Sequence, residues 1–217
     1  MTSKRSSLLL AAGIAVVSLL FVILVSLPPS TAQFNHAFPA TVQTSAGVSF
    51  SLREYTLTLT TPQNIYLGTL GKVDLLIEPK SGDSSAQSSG LDELYQQYNP
   101  VIDTRLEMVG STVQPTDQIS EPLGQGKPVQ FEWQISPGQS GPMEGTLWIY
   151  MTLVPKGGGT SETLALFGIP VSSQGKDVMG MAVGMVYLLA GGGGLLAIGL
   201  AAFALFPRRK QKWRKRR

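Results

Sequence analysis

The chain has 217 residues, no cysteine, one histidine and a formal net charge of +3. Without thiols it offers no cysteine nucleophile, no thiolate zinc site and no iron–sulfur cluster. The small net charge conceals a division: the flanks hold ten of the 17 basic residues, whereas residues 28–177 hold the other seven and all 14 acidic ones, giving flanks of +10 and a middle of −7.

Residues 1–7 carry Lys4 and Arg5 and read as a cytoplasmic N-terminus, because basic residues flanking a span stay inside. Residues 8–27 (LLLAAGIAVVSLLFVILVSL) hold no charge. A bilayer core takes about 20 apolar residues in helical form, so this run predicts a transmembrane helix or signal anchor. A cleaved signal peptide is the competing reading, with Lys4 and Arg5 as its basic region and Ser30-Thr31-Ala32 as a small-residue cleavage site. The run is longer than the usual h-region of about 7–15 residues, which favours a retained anchor.

Residues 28–47 lack a hydrophobic period and read as a linker; His36, the single histidine, falls there as an exposed loop side chain. From 48 onward apolar residues alternate. Val48, Phe50 and Leu52 share one parity and Tyr55, Leu57 and Leu59 the other, with a break at Arg53-Glu54 that suggests a bulge or crossover. Val73, Leu75 and Ile77 alternate in GKVDLLIEP. A Ser/Gly-rich loop follows, and then LDELYQQY (91–98) puts Leu91, Leu94, Tyr95 and Tyr98 on one helical face. A strand is expected over 101–109 and turn-rich sequence over 115–128. VQFEWQI (129–135) is the cleanest alternation in the chain. GTLWIYMTLVP (145–155) is apolar on both parities and reads as a central strand. The turn Lys156-Gly157-Gly158-Gly159 leads to TLALFGIPV (163–171). Strands in series with Gly and Pro turns predict an all-β extracytoplasmic domain over 48–174, an immunoglobulin-like antiparallel sandwich of about seven strands.

Within it, Phe131-Glu132-Trp133-Gln134-Ile135-Ser136-Pro137, with Gly141 and Gly145-Thr146-Leu147-Trp148, resembles a passage of uncharacterised bacterial membrane-anchored β-sandwich proteins. The resemblance spans about residues 131–154. It implies a sandwich hairpin and carries over no activity. Missing cysteines and the lack of any Asn-x-Ser/Thr sequon lean the same way, toward a bacterial or archaeal surface.

No catalytic constellation, metal set or cofactor motif emerges. Asp83, Asp92 and Glu93 border the Ser/Gly loop but match no Ca²⁺-loop spacing. Asp103, Glu107 and Glu132 lie on predicted strands at polar parity, where the wet face explains them. Gly124-Gln125-Gly126-Lys127 lacks P-loop spacing, and Gly191–Gly194 lies inside an apolar run.

That run, residues 178–206, is uncharged and Gly-rich and predicts a second transmembrane helix, with a bendable midpoint at the four glycines. Gly180 and Gly184 form GxxxG, and Gly193, Ala197 and Ala201 continue a small-residue face at spacing four, the pattern that lets helices approach closely in lipid. The basic cytoplasmic tail, 207–217, holds Arg208, Arg209, Lys210, Lys212, Arg214, Lys215, Arg216 and Arg217 with Trp213. Beside a span these residues point to anionic lipid headgroups rather than nucleic acid. The leading expectation is a non-enzymatic interaction or accessory subunit of a membrane complex. Its expected partners are another transmembrane helix or a second copy, and an extracytoplasmic protein. A ligand-binding receptor or sensor using loops 81–90 and 115–128, or an exported hydrolase, are the alternatives.

Overall fold

The computed structural model describes residues 2–26, 29–37, 41–44, 47, 49–50, 55–79 and 94–205. It divides into two units, a helical one (Met1–Pro28 with Val178–Arg217) and a β one (Pro29–Asp177). The parity break at Arg53-Glu54, the loop 81–90, Asp83, Asp92, Glu93 and the basic tail Arg208–Arg217 lie outside the described residues.

The β unit is a sandwich of two five-stranded sheets. The first has the order β1 (Thr31–Ala37), β4 (Tyr55–Pro62), β6 (Gly71–Pro79), β10 (Val129–Pro137), β8 (Ser111–Gln114). The second has the order β5 (Asn64–Tyr66), β12 (Glu162–Lys176), β11 (Gly141–Pro155), β7 (Tyr98–Val109), β9 (Ile119–Pro122). The short strands β2 (Val42–Gln43) and β3 (Ser49–Phe50) pair with each other.

Alternation supplies the core. Leu57 and Leu59 of β4, Val73, Leu75 and Ile77 of β6, and Phe131, Trp133 and Ile135 of β10 are buried from the first sheet. Ile102 and Leu106 of β7, Leu147, Ile149, Met151 and Leu153 of β11, and Ile169 and Val171 of β12 are buried from the second. They form one cluster. Trp133 is fully buried and stacks on Phe131, two residues back on the same face, with ring centroids 6.2 Å apart. Residues 145–155 were expected as a central strand, and β11 lies between β12 and β7.

Two glycines shape the second sheet. Gly110, at φ +81°, ends β7, and the chain then leaves that sheet as β8 to pair with β10 in the first. Gly145 lies so close to β7 that a Cβ there would overlap the carbonyl oxygen of Glu107. A register shift between Ile149 and Tyr150 leaves Leu166 as the extra residue on β12. Leu164, Phe167 and Ile169 therefore keep inward parity on both sides of the bulge.

Several expectations are corrected. Residues 31–37 are not linker: they pair in full register with β4, from Thr31↔Pro62 to Ala37↔Thr56. As an edge strand β1 is held by backbone hydrogen bonds, so it needs no apolar period; Phe34 and His36 stay exposed although they share the face of Leu59 and Leu57. The strands exceed seven, because β8 lies between the expected strand 101–109 and the turn-rich sequence, β9 occupies sequence expected as turn-rich, and β5 runs parallel to β12. That pair also means the sheets are not wholly antiparallel. In the segment 91–98, residues 94–97 are helical and Tyr98 already begins β7; Leu94 is fully buried.

The helical unit holds α1 (Thr2–Ser26, 25 residues) and α2 (Val183–Leu205, 23 residues). Among the described residues, one helix, Val183–Phe203, is long and apolar enough to cross a membrane; the apolar described stretch of α1, Leu9–Leu20, is shorter.

Trp133→Ala should cost the sandwich about 3–5 kcal/mol, the range for emptying an aromatic site in a packed core. Trp133→Phe should cost clearly less. Denaturant unfolding of the full chain in detergent, followed by the remaining tryptophan fluorescence, measures both, and equal losses would contradict the packing described.

Candidate functional site

In the helical unit the two helices share a contact seam of small residues. On α1 the less exposed positions, Ala11, Ile14, Ser18 and Val22, recur at spacings of three and four and so form one face. On α2 the buried positions are Val183, Val186 and Ala197, with Gly193 between them. A Cβ added at Gly193 would stand 3.0 Å from the Ser18 hydroxyl oxygen and 3.6 Å from Cγ2 of Ile14, so α1 lies directly on that glycine. Two apolar grooves flank the seam, and Ser18 and Ala190 border both. One, of about 560 Å³, is also lined by Leu10, Gly13, Val17 and Met181; the other, of about 680 Å³, by Ala15, Gly191, Gly194 and Ala201.

The residues expected to associate helices are thus distributed. Gly193 and Ala197 meet α1, and Ala201 lines the wider groove. Gly184 has open space around it. Gly180 stands before α2 in a turn closed by the Val178–Met181 bridge, at φ +76°, so it shares no helical face with Gly184. Its left-handed backbone suits glycine and ends the GxxxG reading at that position. Ser18, Ile14 and Ala11 were not singled out from sequence. Their spacing within the first apolar run was the available signal.

Outward-facing residues on both helices are large and apolar. Leu9 is 75% exposed, Leu188 76% and Leu195 73%. A helix in water turns such side chains to its buried face; here they are exposed, while Ala11, Val183, Val186 and Ala197 are buried.

In the β unit the three carboxylates at polar parity do not converge. Glu132 lies on the outer face of the first sheet, where Lys72 bridges it and Asp74 at 2.9 Å each. The hydrogen bond to Asp74, then that to Glu132, holds the Lys72 ammonium above its ordinary pKa of 10.5. The stabilisation is complete below that ordinary value and is lost as pH rises through the raised one. Glu107 and Asp103 lie on the outer face of the second sheet. Glu107 pairs with Arg105 at 3.0 Å and accepts the Trp148 indole N–H at 3.2 Å. The indole lies over Gly168, where a Cβ would meet its Cζ3 at 2.9 Å.

Asp103 departs from the expectation of a wet face: it is buried, although its parity points outward. Ser120 of β9 donates to its Oδ1 and Thr152 of β11 to its Oδ2, each at 2.5 Å. Thr152 has one proton and gives it to Asp103, so Thr163 of β12 donates to Thr152 at 2.9 Å. The chain Thr163–Thr152–Asp103–Ser120 runs across four strands and ties the edge strand β9 to the sheet. Hydroxyl donors to a carboxylate are stronger than neutral pairs, and here they fill both of its oxygens.

His36 is exposed on β1. Among the described residues no three His, Cys, Asp or Glu side chains group as metal ligands. Of the loops expected to bind a ligand, 115–118 borders an open groove of about 600 Å³ beside the cis Gln114–Pro115 bond. Pro115 lines it together with the polar residues Gln114, Thr116, Asp117, Glu132 and Gln134.

No protein-family model matches the chain, and no curated protein sequence matches it. Among solved structures it is similar to the CARDB domain of a Pyrococcus furiosus protein, crystallised in complex with di-metal ions. The identity is 11% and the TM-score 0.32, over 66% of this chain and 95% of that one. At that TM-score the likeness adds nothing to the sandwich given by the strand pairing.

Thr152→Val should cost about 1–3 kcal/mol, because it leaves one oxygen of a buried carboxylate without its donor. Thr163→Val, which removes only the outer link, should cost less. Urea unfolding of each variant checks the order, and a reversed order would rule out the relay.

Proposed function

We propose that the chain is a membrane-anchored, extracytoplasmic β-sandwich protein that acts without catalysis, as an interaction or accessory subunit of a membrane complex. The observation that carries the membrane reading is the exposure of large apolar side chains on the helices: Leu9, Leu19, Leu20, Leu188, Leu189, Leu195 and Phe203 all face outward, while Ala11, Val183, Val186 and Ala197 are buried. Exposed to water, such a surface would be an aggregation site; in lipid it costs nothing. The charge division supports the orientation. Basic flanks stay in the cytoplasm, which puts residues 28–177, at −7, outside and, with the first helix retained, both termini inside. The basic tail then meets anionic headgroups.

An immunoglobulin-like arrangement fits the sandwich. The order β4-β6-β10-β8 in one sheet and β12-β11-β7 in the other follows the pattern of such domains. The non-enzymatic reading is supported by the engagement of Asp103, Glu107 and Glu132 in separate structural contacts on two faces. Glycoside chemistry needs two carboxylates about 5–10 Å apart across a substrate, and nucleophilic catalysis a base beside its nucleophile.

The intramembrane partner should meet α2 at Gly184, where space is open. Purified in mild detergent, the full chain should retain a stoichiometric partner or oligomer. Gly184→Leu should lower its recovery about tenfold, equivalent to ~1.4 kcal/mol, without unfolding the sandwich. A lone wild-type monomer, unchanged by Gly184→Leu, would sink this reading.

A further inference from the structure

We infer that α1 is retained in the mature protein as a second membrane helix, and that the small-residue face of α2 at Gly193 and Ala197 is occupied by it in cis. The two helices are then a hairpin, closed at Ser18 and Gly193. The inference rests on the membrane reading above, but not on any external partner.

Two independent observations carry it. The first is the seam. Lipid supplies no hydrophobic drive between helices, so association in a bilayer depends on close packing of small residues. Gly193 faces Ser18 closely: a Cβ there would stand 3.0 Å from the Ser18 hydroxyl oxygen, which would have to give by a few tenths of an ångström. Ala11 and Ala197 are 6% and 5% exposed and Val183 and Val186 are buried too, while leucines of both helices, Leu9, Leu19, Leu188 and Leu195 among them, point away. A signal peptide is discarded and has no call for a face fitted to the other helix of the same chain.

The second lies in the β unit. Ser30-Thr31-Ala32, the segment that suits a signal peptidase, is folded there. Thr31 and Ala32 pair with Pro62 and Thr61 as the first two residues of β1. The carbonyl oxygen of Ser30 accepts the Gln63 N–H at 2.7 Å, and its hydroxyl accepts from the Asn64 side-chain amide at 3.3 Å. Cleavage after Ala32 would remove all of these. β1 has few buried side chains and is held by its backbone ladder, so that loss falls on the interaction that keeps the strand in place.

Occupation by α1 also sorts the glycines of α2. Gly193 is taken. Gly184 faces open space, and Gly191 and Gly194 line the groove of about 680 Å³.

The absence of native cysteine makes the test clean. The wild-type chain extracted from membranes should have the mass of the full sequence, with or without Met1. A mass beginning at Gln33 would overturn the inference outright. In the full chain Ser18→Cys with Gly193→Cys, the two Cβ positions lie within disulfide reach. Mild oxidation in native membranes should yield a monomer lighter by two hydrogens. Ser18→Cys with Leu188→Cys, which points away from the seam, should form at least about tenfold less of that species, a discrimination of ~1.4 kcal/mol. Disulfide-linked dimers from each single variant, with no intrachain bond in the Ser18/Gly193 pair, would refute the hairpin while leaving association in the membrane standing. An intrachain bond in a protein that purifies as a lone monomer would keep the hairpin and remove the accessory-subunit reading.

Discussion

Burial of Phe131, Trp133 and Ile135 from one sheet in a single core with Leu147, Ile149 and Met151 from the other is the constraint on which the β unit depends. Side chains alternate along a strand, so this burial sets the parity of β10 and β11, and a slip of one residue would turn every one of them to the opposite face. The outer faces follow from the inner ones. With Leu147 and Ile149 inside, Trp148 must be outside, and the pairing of β11 with β12 lays its indole over Gly168. With Met151 inside, Thr152 is outside and reaches Asp103 on β7. The polar relay across four strands is therefore a consequence of the apolar register, and it in turn secures β9, which buries little of its own.

What was legible in the sequence follows the same physics. β6 and β10 alternate cleanly because one face of each meets the core and the other meets water, and GKVDLLIEP spans Gly71–Pro79 as read. β11 was legible as a central strand because it has neighbours on both edges and apolar residues on both parities. β1, β5, β8 and β9 were missed for the converse reason. They are edge strands, held largely by backbone pairing, which leaves no hydrophobic period to read. Asp103 shows the limit of parity at a single position. Its place on an outer face was legible, but the hydroxyls that donate to it come from β9 and β11, 17 and 49 residues away in sequence, and no local pattern announces them.

The candidate helix site was legible in part. Spacing picked out Gly193, Ala197 and Ala201 as a small-residue face. It could not say what covers that face, since any helix with small residues at matching intervals would serve. Gly180 was misplaced because GxxxG is a count of residues and assumes continuous helix; the helix begins at Val183, and Gly180 takes a left-handed turn before it.

On the membrane reading proposed above, the two units answer one problem under opposite conditions. Water drives apolar surface together, so the sandwich places its largest side chains, Trp133 and Phe131 among them, where they are least exposed. Lipid tails are as apolar as leucine, so burying leucine between helices gains little there, and what remains is close van der Waals contact between smooth surfaces. Glycine weakens a helix in water by about 0.5–1 kcal/mol relative to alanine. In the proposed membrane setting that cost is offset where a glycine permits close approach; of the four consecutive glycines of α2, Gly193 is the one with α1 within 4 Å, and the helix is continuous from Val183 to Leu205. The same hydrophobicity that reveals the core of the sandwich hence reveals only the outer surface of the helices. Their contacts combine Val183, Val186 and Ile14 with residues that hydrophobicity scales weight less, Gly193, Ala197, Ala11 and Ser18.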